Sequence, residues 1–143
     1  MHNLRHVVRR TSFISARPDE NVLEVAAKMT RARVGALPVL DGEQLVGMFS
    51  ERDLMTRVLV AGRDPHATCV ESVMTREVVT ADIEETRSES MEKMYRAGCR
   101  HLPVMLDGRV VAMLSMRDLL RDEIAEQSEE IQGLRAYLHQ APL

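Results

Sequence analysis

An internal repeat, held in register without a gap, limits what this chain can fold into. Leu37-Pro38-Val39-Leu40, Asp41-Gly42 and an apolar run from Leu45 to Phe49 lead into Ser50-Glu51-Arg52-Asp53-Leu54. The same parts return as Leu102-Pro103-Val104, Asp107-Gly108, Val110 to Leu114 and Ser115-Met116-Arg117-Asp118-Leu119. Pro38 and Pro103, Ser50 and Ser115, and Asp53 and Asp118 are each 65 positions apart, an offset that also pairs Val8 with Val73, Ala16 with Ala81 and Lys28-Met29 with Lys93-Met94. A period this long exceeds a solenoid unit and marks two copies of one small subdomain. Each copy alone would be marginal in size, so the halves are expected to share a core.

Each copy reads β-α-β-β-α. Phe13-Ile14-Ser15 and Val78-Val79-Thr80 are short β-type segments. In the first copy Val22, Val25, Ala26 and Met29 form an apolar stripe at helical spacing. Arg87, Ser90, Met91 and Met94 are their counterparts, a weaker stripe that reads as a more solvated helix. Asp-Gly between two apolar runs predicts a hairpin in both copies. A helix from Glu51 to Ala61 is stopped by Gly62 and Pro65. Residues 4–62 form the first domain, 63–69 a linker, 70–121 the second domain and 122–143 a helical extension. The last helix should run from Met116 to about Leu138, with Leu120, Ile124, Gln127, Ile131, Leu134 and Leu138 on a heptad-like seam interrupted by one polar residue. That seam either packs on the chain's own core or meets a second copy.

Composition narrows the function. Aromatics make up 3% with no Trp, and the net charge is −3. Both disfavour a nucleic-acid platform. Two cysteines make no disulfide framework, and no apolar run has the length of a signal peptide or a membrane span. A reduced, cytoplasmic protein is expected, away from membranes. His66-x-x-Cys69 is half a metal pattern, and Cys99 near His101 adds no assembled site. No hydroxyl or thiol has a His and an acid arranged for nucleophilic catalysis. Met48, Met105 and Met113 read as flexible core filling.

Ser50-x-x-Asp53 and Ser115-x-x-Asp118 carry the chemistry. A Ser followed three residues later by an acid is, first of all, a helix N-cap. The same geometry suits a nucleotide, because a helix N-terminus attracts phosphate and a carboxylate can accept hydrogen bonds from both ribose hydroxyls. Recurrence at one place in both copies favours the second reading, although a duplication also copies a cap.

With Val73-Met74-Thr75 leading into the second copy, this pattern resembles the tandem cystathionine β-synthase (CBS) pair, or Bateman module, over about Leu4 to Leu120. The resemblance implies an α/β fold of two β-α-β-β-α halves about a pseudo-twofold axis, with ligand clefts between them. It also implies a non-catalytic regulatory module that binds adenosine-containing ligands: AMP foremost, then ADP, ATP, NAD(P) or S-adenosylmethionine. A ligand-free dimerisation module is the alternative. By position, Asp53 and Asp118 would hold ribose, and Ser50 and Ser115 would contact phosphate. Ser15 and Thr80, with Ile14 and Val79, would cradle the base, and Pro38 and Pro103 would contribute to the ligand clefts. Arg100 and His101 stand just before Leu102-Pro103, where basic residues reach phosphate held by the other half, whereas Gly35 and Ala36 precede Leu37-Pro38. Two competent clefts are therefore expected. The one at Asp53, with Arg100, His101 and Arg117, should suit a charged phosphate better than the one at Asp118, which gains only Arg52. A homodimer and an effector protein in trans complete the implied picture, since no effector domain accompanies the pair.

Overall fold

The structure is a computed structural model that describes residues 3–8 and 12–140, the side chain of Gln140 apart. The basic Arg9-Arg10 pair and the last three residues of the C-terminal extension lie outside the described residues.

Helix α1 (Leu4–Val7) precedes α2 (Val22–Ala32), whose N-terminus is capped by the Asn21 side chain accepting from the Glu24 N–H at 2.9 Å. Strands β1 (Ala36–Asp41) and β2 (Gln44–Ser50) form an antiparallel hairpin. A helical turn, α3 (Glu51–Asp53), widens directly into a π-helix over Leu54–Leu59. The second half repeats this order with β3 (Ala81–Asp82), α4 (Arg87–Ala97), β4 (His101–Leu106), β5 (Arg109–Ser115) and α5 (Met116–Gln140). In α4 the cap is Thr86, accepting from the Glu89 N–H at 3.2 Å.

The hairpins repeat down to their irregularities. Register slips between Val39 and Leu40 and, 65 residues on, between Val104 and Met105. The turns differ. Positive φ falls on Gly42 alone in the first hairpin and on both Asp107 and Gly108 in the second. Two consecutive positive φ values are what a type I′ turn needs, and Asp-Gly supplies them. The first β segment of each half lies later than the sequence predicts. It is a single parallel bridge from Ala16 to Val39 in the first half and Ala81–Asp82 beside β4 in the second.

Packing overturns the expectation of a shared core. Val22, Val25, Leu37, Val39, Phe49 and Val58 belong to one buried cluster, and Ala81, Met94, Leu102, Val104, Leu114 and Leu119 to another. The halves are joined by exchange. Leu4, at the head of the first copy, is fully buried in the second cluster, and the Leu4 N–H donates to the Glu85 carbonyl at 2.9 Å. Val70, Val73 and Met74, at the head of the second copy, are buried in the first cluster. There the Met48 and Thr75 main chains pair in both directions at 2.8 and 2.9 Å. Strands β2 and β5 meet between the halves.

The weaker stripe of α4 is also buried: Arg87, Ser90 and Met94 are all covered, which corrects the solvated reading. The cover is α5. Arg87 donates from Nη1 to Asp122 Oδ2 and Glu126 Oε2, both at 2.7 Å. Burial works against the guanidinium's charge, and the two carboxylate hydrogen bonds outweigh it and raise the Arg87 pKa.

Candidate functional site

A groove of about 1250 Å³ runs between the halves, lined by the ends of both hairpins and the helix starts that follow. It gathers Gly35, Ala36, Ser50, Arg52 and Asp53 from the first half and Val79, Arg100, His101, Ser115, Arg117 and Asp118 from the second. The reason is topological. In each half the second strand runs straight into a helix, so the Ser that ends the strand caps the helix and its acid lies one turn in. Backbone pairing holds the opposite lips: the Glu51 N–H donates to the Gly35 carbonyl at 2.9 Å, and the Met116 N–H to the Arg100 carbonyl at 2.8 Å.

The two carboxylates are engaged differently. Asp53 is 7% exposed. Its Oδ2 accepts from the Ser50 N–H at 3.0 Å and from the Ser50 hydroxyl at 3.1 Å, while Ser50 Oγ accepts from the Asp53 N–H at 3.2 Å. The Thr75 hydroxyl approaches Asp53 Oδ1 at 3.3 Å, and Arg57 Nε lies 3.6 Å from the same oxygen. Arg57 also donates to the Met74 carbonyl at 2.8 Å, which ties the exchanged segment to this helix. Asp118 keeps the reciprocal cap, with the Ser115 N–H at 2.9 Å from its Oδ2 and its own N–H at 3.1 Å from Ser115 Oγ. It is half-buried and takes no Thr or Arg partner among the described residues. At the repeat offset the counterpart of Thr75 is Arg10, outside those residues.

His101 reaches across the groove. A Cβ on Gly35 would lie 3.1 Å from Glu51 Oε1 and 3.5 Å from His101 Cε1, so all three meet where the halves face one another. Burial is the main cause that holds the imidazole pKa below its usual value, and Arg100 adds to it against the opposing pull of Glu51 and Asp118. His101 is therefore neutral at pH 7 and presents a hydrogen-bonding group, with the positive charge left to the arginines.

Five expected residues do not line the groove. Ile14 packs against the first core, and Pro38 and Pro103 are buried in β1 and β4. The Ser15 and Thr80 carbonyls accept from Lys28 Nζ and Lys93 Nζ, each at 2.9 Å. The same lysines pair with Glu20 and Glu85, an arrangement repeated across the 65-residue offset. The groove also uses residues that the sequence left unmarked: Arg33, Glu51, Thr75, Glu77 and Arg121. Met48 and Met113 line it too, which corrects their reading as core filling. The alternation of β2 and β5 was the available signal for the methionines, since each lies two residues before the capping Ser. Among the described residues no group of three metal-ligating side chains is assembled, and no helix is long and apolar enough to cross a membrane.

Comparison with known proteins agrees with this architecture. The model of the CBS domain matches twice, over residues 4–60 and 70–124. The mitochondrial CBS domain-containing protein CBSX3 of Arabidopsis thaliana is 35% identical over 132 residues, which are 89% of this chain and 64% of that protein. The chain thus spans just under two thirds of that relative's length. The crystal structure of the CBS domain protein NE2398 superposes with a TM-score of 0.82 at 32% identity, covering 86% of this chain and 98% of that one. The CBS domain pair of MJ0100, solved in complex with 5′-methylthioadenosine and S-adenosylmethionine, shares the fold with a TM-score of 0.76 at 24% identity, over 87% of this chain and 98% of that one. Two matched copies in the order and packing described above make this chain a tandem CBS pair, a member of the CBS-domain family.

Proposed function

We propose that this chain is a non-catalytic regulatory module that binds an adenosine-containing nucleotide in the groove and passes the event to a partner protein. The observation that carries the reading is the convergence of two capped carboxylates, Asp53 and Asp118, in one groove with Arg33, Arg52, Arg100, Arg117 and Arg121. Carboxylates at helix starts offer acceptors for ribose hydroxyls, and arginines offer bidentate donors for phosphate. That the MJ0100 pair holds two adenosine compounds on the same fold supports the ligand class. AMP is the first candidate; ADP, ATP, NAD(P) and S-adenosylmethionine share the recognised moiety.

The engagement of the acids weighs against the expected preference for the Asp53 end. A ribose at Asp53 has to displace Thr75 or Arg57, whereas Asp118 has no such partner among the described residues. We therefore assign the tighter ribose site to Asp118. His101, near both Asp118 and Glu51, would bridge the halves around the ligand. The mechanism is linkage: a ligand that prefers one arrangement of the halves shifts the population by that difference in affinity.

Thermal shift with AMP, ADP, ATP, NAD, NADP and S-adenosylmethionine, followed by calorimetric titration of Asp53→Asn and Asp118→Asn, tests this. A ligand at a hundred times its dissociation constant adds about 2.7 kcal/mol, which is several degrees for a protein of this size. Asp118→Asn is expected to weaken binding at least tenfold, and Asp53→Asn less. The reverse order moves the site to Asp53. A protein freed of copurified nucleotide that responds to none of the six is a ligand-free scaffold.

A further inference from the structure

Beyond the groove, the distal part of α5 has no cover. Every residue from Gln127 to His139 is exposed. The apolar members of its seam are far from buried: Ile124 62%, Ile131 50%, Leu134 63% and Leu138 70% exposed. The chain's own body holds α5 by another face, through Leu119 and through Asp122 and Glu126 on Arg87. That face lies roughly a third of a turn from the seam. An isolated helix of roughly 12–15 residues is marginal in water, and Gly133 weakens this one further.

The seam specifies its occupant. Its 4-3-4-3-4 spacing fixes the heptad, with Ile124, Ile131 and Leu138 at a and Leu120, Gln127 and Leu134 at d. β-branched residues at a with Leu at d favour two parallel strands. The flanks make the same choice by charge. Glu123 and Glu130 fall at g, and Arg121 and Arg135 at e. In a parallel dimer g faces e of the next heptad, so Glu130 of each helix meets Arg135 of the other. In an antiparallel dimer g faces g and e faces e, so Glu meets Glu and Arg meets Arg. In-register parallel pairing also sets Gln127 against its own copy, where two amides can hydrogen-bond, and a single polar layer of this kind fixes register.

We propose that α5 of this chain forms a parallel, in-register two-stranded coiled coil with α5 of a second copy. This deepens the regulatory reading by naming its homodimer contact, and it stands independently of which ligand the groove takes.

The test uses the full chain with Cys69→Ser and Cys99→Ser as background. Leu120→Cys and Leu134→Cys, made separately, lie about 21 Å apart along the helix. Mild oxidation should link two chains through either one. An antiparallel pair brings only one of the two positions near its own copy, so linkage at one position alone overturns the proposal. Sedimentation equilibrium gives the second readout. Glu130→Arg is expected to weaken the dimer roughly tenfold, and adding Arg135→Glu to it should restore the affinity. Ile131→Asp should abolish the dimer while the circular dichroism of the α/β body persists. A dimer unaffected by Ile131→Asp overturns the coiled coil and leaves homodimerisation to another surface. A monomer at every concentration overturns both.

Discussion

Asp53 and Asp118 occupy equivalent places in sequence and in fold, but their neighbours give them different work. Asp53 accepts from Ser50 and is approached by Thr75 and Arg57, whereas Asp118 has only its Ser115 cap among the described residues, the difference on which the proposed ribose site at Asp118 rests. His101 makes a pH prediction with a definite sign. Its folded-state pKa is depressed below the usual 6.5. The stability this brings is therefore present above that value and lost as pH falls through the folded pKa. His101→Gln should flatten the stability-against-pH curve below pH 6.5, read by urea unfolding at a series of pH values. Gly47 faces Met74 of the exchanged segment so closely that a Cβ there would lie 2.8 Å from Met74 Cγ. Gly47→Ala should cost roughly 1–3 kcal/mol by overpacking, whereas its counterpart in the second half is already Ala112, fully buried. Thermal melts of the two alanine-bearing sites, with Ala112→Gly as the converse, check this asymmetry.

At the scale of elements, α4 and α5 form one unit held by a buried cation. Arg87 has 8% side-chain exposure and its two acids 11% and 19%. Removing it takes the buried cation away from two carboxylates. Arg87→Met should destabilise the fold by about 3 kcal/mol, and Lys should recover part of it, because both hydrogen bonds leave one nitrogen and an ammonium also offers several donors. Denaturant midpoints of the two variants decide the matter. The polar residues of α4 looked like a solvated surface because sequence periodicity sees only apolarity. Arg87 and Ser90 are buried against polar partners 35 and five positions away, Asp122 and Glu85. The helix after Ser50 was legible as a helix and not as a π-helix, since Leu54–Leu59 carries nothing that local propensity distinguishes.

In the whole molecule, the groove and the coiled-coil seam share α5. Arg117, Asp118 and Arg121 line the groove on its first turns, and Leu120 and Ile124 begin the seam on the same turns. A helix is stiff over this length, so a rearrangement of the halves has a direct mechanical route to the dimer contact. The repeat register, the hairpins with their Asp-Gly punctuation, the Ser-x-x-Asp caps and the heptad spacing are local or periodic patterns. The amino-acid order alone therefore determined the tandem α/β architecture and brought forward eleven of the residues that line the groove, Asp53, Asp118, Arg100 and His101 among them. Long-range packing decided the rest. The exchange of Leu4 and Val70 between halves, the two separate cores and the approach of Thr75 to Asp53 all depend on how surfaces meet across the pseudo-twofold. Contacts between residues tens of positions apart leave no periodic trace in the chain, and only the folded geometry brings them together.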